Sequence, residues 1–367
     1  SVDSVVQYGS PPSTSSLSQR LGRSGRRTHQ SILHIVEDDS WEMLQTYAAL
    51  DLLEQGELDA TEMIETPYNA LAHQVMAILF QKVSVPMTQL LQLNKNFPVW
   101  RTIPDEDLAL LIGYMVEQDF IEIMDDEAIV GLEGERLLRS RDFYALFFTT
   151  SDFSVHYQHE RIGSLPFTPE IQIESKILLA GRVWIVKDID VKAKRIQVER
   201  TKEGKPPKFI SDEGFVSNEV RENMEKLLRT GEYLNLNNDK ITRDFDFLKS
   251  ALYFDAGNYW FEDNQTNIGI VTFKGTKFNI ALLLLIKSIV GEGEKYQLHD
   301  KHSLITGPDL KRIMQRLTDE DVSLDTVAAY LDRNEKAIEE LTVHQKFMQL
   351  VPTCLKIKWI LNNFFSV

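Results

Sequence analysis

Gln19-Arg20-Leu21-Gly22-Arg23-Ser24-Gly25-Arg26 places three arginines and two glycines within seven residues, and Arg27 follows at once. Read as a helix, the stretch puts Gln19, Arg23 and Arg26 at i, i+4 and i+7, on one face. Two glycines inside a helix cost roughly 1 kcal/mol each against alanine, so the reading requires a close approach of this backbone to another lobe or to a phosphate. Guanidinium groups on such a face can make bidentate, charge-assisted hydrogen bonds to phosphoryl oxygens. That is the geometry of an arginine finger, which stabilises charge developing on a transferring γ-phosphate. A solvated basic turn is the alternative.

The flanks support the first reading. Val2 to Pro12 reads as a short strand running into a Pro-terminated turn, and Ser31-Ile32-Leu33-His34-Ile35-Val36 reads as a second, buried strand. Strand, loop, arginine-bearing helix and strand make the closing unit of an α/β sheet, with its ligand edge beside the helix. The octet matches the last signature motif of superfamily-two helicases, Gln/His-Arg-x-Gly-Arg-x-Gly-Arg, at every specified position. The segment resembles the end of the second RecA-like lobe of that group. The resemblance implies that Arg23 and Arg26 reach the γ-phosphate across an interlobe cleft and that Gln19 couples this contact to hydrolysis. No Gly-x-x-x-x-Gly-Lys-Ser/Thr loop and no Asp-Glu-x-His/Asp box occurs in the chain. The expectation is a C-terminal part of a longer protein. ATP and Mg2+ would be bound mainly by RecA-like lobes upstream, and the chain alone would not hydrolyse ATP.

Composition bounds the rest. The 367 residues, 43% of them hydrophobic, suffice for two or three domains with their own cores. Cys354 is the single cysteine, which points to a reducing, cytoplasmic setting. The longest apolar run, Phe278 to Ile286, stops at Lys287 and is too short to span a bilayer. It is a core helix or strand. A net charge of −15 excludes indiscriminate nucleic-acid binding but leaves room for a local basic track. The acidic runs Glu37-Asp38-Asp39, Asp105-Glu106-Asp107 and Asp125-Asp126-Glu127 read as solvated helix starts and turns. No cluster suited to a metal ion is apparent.

Trp41, Leu44, Ala48 and Leu52 keep helical spacing, and Gly56 stops that helix. Further helices are expected over Ala70 to Phe80, from Val85 to Leu91, and from Pro104 through Leu108, Leu111, Ile112 and Met115, where acids suit the first turn. Phe120 to Ile123 and Ala128 to Leu132 read as a hairpin. Three helices and a hairpin make a winged helix, here an acidic one that suits packing on helicase lobes and lining a strand channel better than reading a major groove. Trp100 beside Arg101 is a candidate for stacking a base and holding a phosphate. Trp100 as a core residue is the alternative.

Beyond Phe148 the chain turns β-rich. Ile177 to Val186 and Arg195 to Val198 read as strands joined near Asp190, with others at Ala251 to Phe254 and Gly269 to Phe273, before helices return after Pro308. A barrel or strongly curved sheet with helical additions is expected. The basic stretch Lys192 to Lys208 contains the candidate nucleic-acid contacts Lys192, Lys194, Arg195 and Lys202, suited to phosphates without base readout. An exposed hairpin with ordinary lysines is the alternative.

Gly163-Ser164-Leu165, Leu178-Leu179-Ala180-Gly181-Arg182-Val183-Trp184, Pro206-Pro207 and Phe273-Lys274-Gly275-Thr276-Lys277-x-Asn279 follow in that order. With the winged helix, this pattern resembles the large helicase-related (Lhr) family. The resemblance implies a multidomain α/β plus α+β chain. Residues 1–65 would end the second RecA-like lobe, residues 66–140 would form the winged helix, and residues 141–367 a β-barrel-like domain with a helical tail. It further implies 3′-to-5′ translocation on single-stranded DNA and unwinding of DNA or RNA–DNA duplexes, with no membrane partner. The competing reading is a non-enzymatic winged-helix protein that binds nucleic acid or another protein. A translocase that remodels complexes without unwinding is a third.

Overall fold

The computed structural model describes every residue except 1–2, 26–30, 38, 61–63, 147–151, 159, 167–170, 172, 180–181, 191–192, 202–213, 234–237, 264–266, 292–294, 320–321 and 366–367. The N-terminal unit is β1 (Val5–Tyr8), α1 (Thr14–Leu21), β2 (Leu33–Val36) and α2 (Ser40–Glu54). β1 and β2 pair in parallel, Val5 opposite Leu33 and Tyr8 opposite Val36, as the strand–helix–strand reading requires. Asp39 caps α2 by accepting from the Trp41 and Glu42 amides at 2.8 and 3.2 Å. The same helix ends where Gly56 takes φ +78° and the Glu57 amide donates to the Leu52 carbonyl at 2.9 Å, the closing bond of a glycine-terminated helix.

The next segment comprises α3 (Tyr68–Lys82), β3 (Ser84–Pro86), α4 (Met87–Leu90), α5 (Leu93–Asn96), α6 (Asp105–Glu117), β4 (Ile121–Met124), β5 (Glu127–Val130) and α7 (Leu132–Leu138). Its three strands form an antiparallel sheet in the order β3-β5-β4. The β4–β5 hairpin turns on Asp125 and Asp126, both at positive φ, where aspartate is among the few tolerated side chains besides glycine and asparagine.

β6 (Asp152–Tyr157), β7 (Glu160–Pro166), β8 (Lys176–Leu179), β9 (Arg182–Asp190) and β10 (Arg195–Arg200) follow as one sheet in the order β7-β6-β10-β9-β8. The expected continuous strand from Ile177 to Val186 is instead two strands that fold back on each other, with Leu179 opposite Arg182. β10 lies antiparallel to β9 and parallel to β6.

The remainder comprises α8 (Asn218–Thr230), α9 (Asp239–Ser250), β11 (Leu252–Asp255), β12 (Asn258–Asp263), β13 (Asn267–Val271), α10 (Thr276–Val290), β14 (Gln297–His299), β15 (Leu304–Thr306), α11 (Leu310–Asp319), α12 (Leu324–Asp332), α13 (Glu335–Thr342) and α14 (Thr353–Phe364). The run Phe278 to Ile286 is therefore a helix. The strands form a second five-stranded sheet in the order β11-β12-β13-β15-β14.

Packing crosses the expected boundaries at 65 and 140. Leu17, Trp41, Leu44 and Leu52 share one core with Val220, Met224, Phe245 and Phe273, so α2 rests on α8 and α9. The core of residues 68–143 is completed by α10, α12 and α14 through Leu284, Leu331, Trp359 and Ile360. The C-terminal helices, which match no pattern by sequence, thus belong to the same core as α3 and α6. Leu355, Ile357, Trp359, Ile360 and Phe364 of α14 are all buried, worth on the order of 10 kcal/mol of gross apolar burial. Asp107 corrects the reading of its acidic run as solvated. It is 5% exposed and accepts from the Tyr68 hydroxyl at 2.5 Å and from Lys358 Nζ at 2.6 Å, tying α6 to α3 and α14.

Candidate functional site

The arginine octet is not one helical face. Helix α1 starts at its cap Ser13, whose hydroxyl accepts from the Ser16 amide at 3.1 Å, and ends at Leu21. Gly22 closes it with φ −68°, and Gly25 takes φ +74°. The requirement for glycine is therefore a left-handed turn at Gly25 rather than a close approach at Gly22. Gln19 is exposed on the last turn of α1, Arg20 is half-buried, and Arg23 is exposed in the turn beyond it. Arg26 and Arg27 lie outside the described residues.

Buried Ser24 stiffens this turn. Its hydroxyl lies 3.1 Å from both the Leu21 and Ile32 carbonyl oxygens and accepts from the Ile32 amide at 3.0 Å; Ser31 Oγ donates to the Ser24 carbonyl at 3.2 Å. Because β1 and β2 are parallel, α1 runs back against them, and Arg23 lies at the amino edge of β2. Open α/β sheets bind their own ligands at the carboxyl edge. The expected ligand edge beside the helix is thus not where Arg23 stands.

The other end of α1 is anchored by Asp59, a residue with no signal in the sequence. Its carboxylate accepts from Thr14 Oγ1 at 2.8 Å, the Ser15 amide at 2.7 Å and Ser217 Oγ at 2.6 Å. Burial alone would raise its pKa, but these bonds outweigh it and hold the group down at about 2. The folded value lies below the ordinary 3.8. The stabilisation is therefore complete above the unfolded pKa and is lost as pH falls from about 4 through about 2. Asp59→Asn is expected to lower stability by about 1–3 kcal/mol at neutral pH and to flatten the acid limb of the stability curve, measured by urea denaturation.

Among the described residues nothing covers the opposite face of the β1–β2 ribbon. Val6, Tyr8 and Val36 are 67%, 75% and 50% exposed. The covered face borders a cavity of 630 Å³ lined mainly by apolar groups such as Leu17, Leu33 and Leu50. Its ionisable wall is Glu37, which burial pushes up to about 7 against a hydrogen bond from Thr46. That lining offers no convergent donors for a phosphate.

The Phe273 to Asn279 motif is a buried polar joint. Thr276 Oγ1 donates to Asp300 Oδ2 at 2.6 Å and accepts from the Val216 amide at 2.9 Å. Asn279, 0% exposed, donates to the Lys274 carbonyl at 2.9 Å and to Ser303 Oγ at 3.1 Å. Gly275 donates to Asn218 Oδ1 at 2.7 Å, and a Cβ there would stand 2.7 Å from the Val216 carbonyl oxygen. Arg221, fully buried, bonds the Asp300 and Lys301 carbonyls at 2.7 and 3.2 Å, and burial draws its pKa down to about 10. Lys301 then reaches Glu42 and Asp39 of the α2 start at 2.6 and 3.5 Å, while the Trp41 ring stacks on Phe273. The joint thereby clamps the arginine-bearing unit to α8 and α10. Pro206-Pro207 lies outside the described residues.

Trp100 is a core residue, 7% exposed, on a short 3-10 turn packed among the side chains of α3 and α6. This corrects the base-stacking assignment, since no open ring face remains. Arg101 is exposed beside it. In the basic stretch, Lys192 and Lys202 lie outside the described residues. Lys194 sits at φ +50° in the β9–β10 turn, and exposed Arg195 opens β10. Among the described residues no group of three His, Cys, Asp or Glu could hold a metal ion, and no helix is long and apolar enough to cross a membrane.

No family model matches the chain, and no curated protein matches it. Solved structures do. The Mycobacterium smegmatis helicase Lhr bound to ssDNA and AMP-PNP superposes with a TM-score of 0.57 at 12% identity, over 99% of this chain and 52% of that one. The DUF1998 helicase MrfA bound to DNA has a TM-score of 0.34 at 11% identity, over 98% of this chain and 48% of that one. The chain spans about half the length of these structures. At 12% identity the Lhr likeness establishes a shared fold.

Proposed function

We propose that this chain is the accessory half of an ATP-dependent 3′-to-5′ helicase or translocase acting on single-stranded DNA and on DNA or RNA–DNA duplexes. Arg23 and Arg26 complete a nucleotide site whose phosphate loop and Mg2+ ligands belong to RecA-like lobes elsewhere in the protein, and Gln19 couples that contact to hydrolysis. The observation that carries the reading is the Arg23 turn. It presents an exposed guanidinium, paired with no carboxylate among the described residues, on a turn held to β2 by Ser24. The bare face of β1–β2 agrees with it, because parallel sheets occur almost only with both faces covered.

Residues 66–140 are read as a winged helix, from the order α3, β3, α4–α5, α6 and the β4–β5 hairpin. The exposed face of α6 carries Glu106, Ala109, Leu110, Gly113 and Glu117. Such a surface repels phosphates, which makes the unit a structural wall of a strand channel, with Arg101 at its rim. The sheet of residues 152–200 is read as part of the barrel-like unit, and Lys192, Lys194, Arg195 and Lys202 are read as its nucleic-acid contacts. The setting is cytoplasmic. A protein carrying these lobes is expected to unwind a 3′-tailed duplex with ATP and Mg2+ and to leave a 5′-tailed one intact. Displacement of the 5′-tailed duplex alone would sink the proposal, and displacement of neither would leave the translocase without the helicase.

A further inference from the structure

We infer that the outer face of β7, β6 and β10 binds the sugar–phosphate backbone of a single nucleic-acid strand, with Arg161 and Arg195 as its two phosphate contacts. The inference rests on the nucleic-acid reading above and assigns a place to it.

Alternation along the strands separates the two faces of this sheet. Phe153, Val155, Ile196 and Val198 are buried on one side, which leaves Ser154, His156, Arg195 and Gln197 on the other. Register then assembles the face. Arg161 stands opposite His156, Ser164 opposite Ser154, and Arg195 opposite Ser154 from the far side. Two exposed arginines thus flank β6, two strand spacings across and two residues along, or about 12 Å apart, with the Ser154 hydroxyl 3.1 Å from His156 Nε2 on the strand between them.

Charge makes this a site rather than a decorated surface. Lys187, further along the same sheet, is neutralised by Glu174 at 2.8 Å. Among the described residues neither Arg161 nor Arg195 is paired with a carboxylate. Among the described residues Arg161 spends only its Nε, at 3.4 Å from the Gly163 carbonyl, so its terminal nitrogens remain. Partial burial, Arg195 and Arg161 together hold the His156 imidazole below its ordinary pKa, and no acid offsets them. Asp190 and Asp188 of β9 stand opposite Arg195 and Gln197, so in a chain of net charge −15 the positive field of this face is strongest on its β7–β6 side, around Arg161.

The ligand follows from what the face lacks. Tyr157 and Trp184 lie 5.1 Å apart beneath the Arg200 guanidinium, which is 5.0 Å from the first ring and 6.0 Å from the second. Arg200 and both rings therefore brace the inner side, and among the described residues no Phe, Tyr or Trp of these strands is left outside to stack a base. Charge and hydroxyls, with no Phe, Tyr or Trp among the described residues of the face, fit a backbone, read without sequence.

Arg161→Ala, Arg195→Ala and the double variant of the 367-residue chain test this by titration with a fluorescent oligo-dT across salt concentrations. Each arginine is expected to lower the slope of log K against log salt by about 0.7 and the pair by about 1.4, with melting temperatures unchanged. Lys240→Ala, which removes one exposed charge from α9, should keep the wild-type slope. A double variant with the wild-type slope overturns the site while leaving nucleic-acid binding intact. A wild-type chain that fails to bind oligo-dT at low salt removes the nucleic-acid reading and this site with it. The oligonucleotide should also raise the His156 pKa seen by NMR. An equal rise with inorganic phosphate at the same ionic strength would overturn the strand assignment.

Discussion

Arg23→Ala, in a protein that carries both RecA-like lobes, is expected to cut nucleic-acid-stimulated ATP hydrolysis by about three orders of magnitude or more. Thermal stability should not change, because Ser24 rather than Arg23 holds the turn to β2. On the proposed role the loss would come from charge that develops on the transferring phosphoryl group, which a planar guanidinium would meet with two hydrogen bonds at once. Arg23→Lys should fail as well, since an ammonium cannot reproduce that fork. Ser24→Ala supplies the contrast: it should lower both stability and turnover, because the support itself loosens. Steady-state hydrolysis with saturating single-stranded DNA decides the matter, and near wild-type turnover in Arg23→Ala would refute the finger assignment.

Trp100→Ala is expected to cost roughly 3–5 kcal/mol of stability, the range for deleting a buried aromatic. The ring is 7% exposed and packs into the core shared by α3, α6 and the C-terminal helices, so the cavity opens where several elements meet. Chemical denaturation should show the loss, accompanied by an earlier transition on heating. A Trp100→Ala protein that melts like wild type but unwinds slowly would restore the stacking role. Arg101→Ala separates the neighbouring contribution, since that exposed side chain can lose a phosphate contact without disturbing the core.

Local structure was largely legible in the sequence. The parallel β1–α1–β2 unit, α2 with its glycine stop, α3, α6 and the β4–β5 hairpin all announce themselves through period and capping residues. The octet was misread at one point for a local reason. Gly22 and Gly25 end α1 and reverse the chain, which destroys the spacing that would have aligned Gln19 with Arg23. Trp100 beside Arg101 looked like a stacking pair because adjacency in sequence says nothing of which neighbour a short 3-10 turn buries. Asp59 was invisible for a different reason: two of its partners are Thr14 and Ser217, far away along the chain. Arg161 and His156 likewise become neighbours of Arg195 only through the pairing of β10 with β6, a parallel match across intervening strands that no pattern specifies.

The closure of α14 onto α3 and α6 carries a consequence for synthesis. Lys358 meets Asp107 across a sequence separation of 251 residues. At about 5–20 residues per second on a ribosome, α6 waits roughly 10–50 s for its partner helix to emerge. During that interval Leu111, Ile112 and Met115 are synthesised without the helix that completes their shelter. Nascent chains of this protein should therefore bind holdase chaperones after α6 has left the tunnel and release them when α14 appears. Shortening the chain before residue 353 would make that transient exposure permanent.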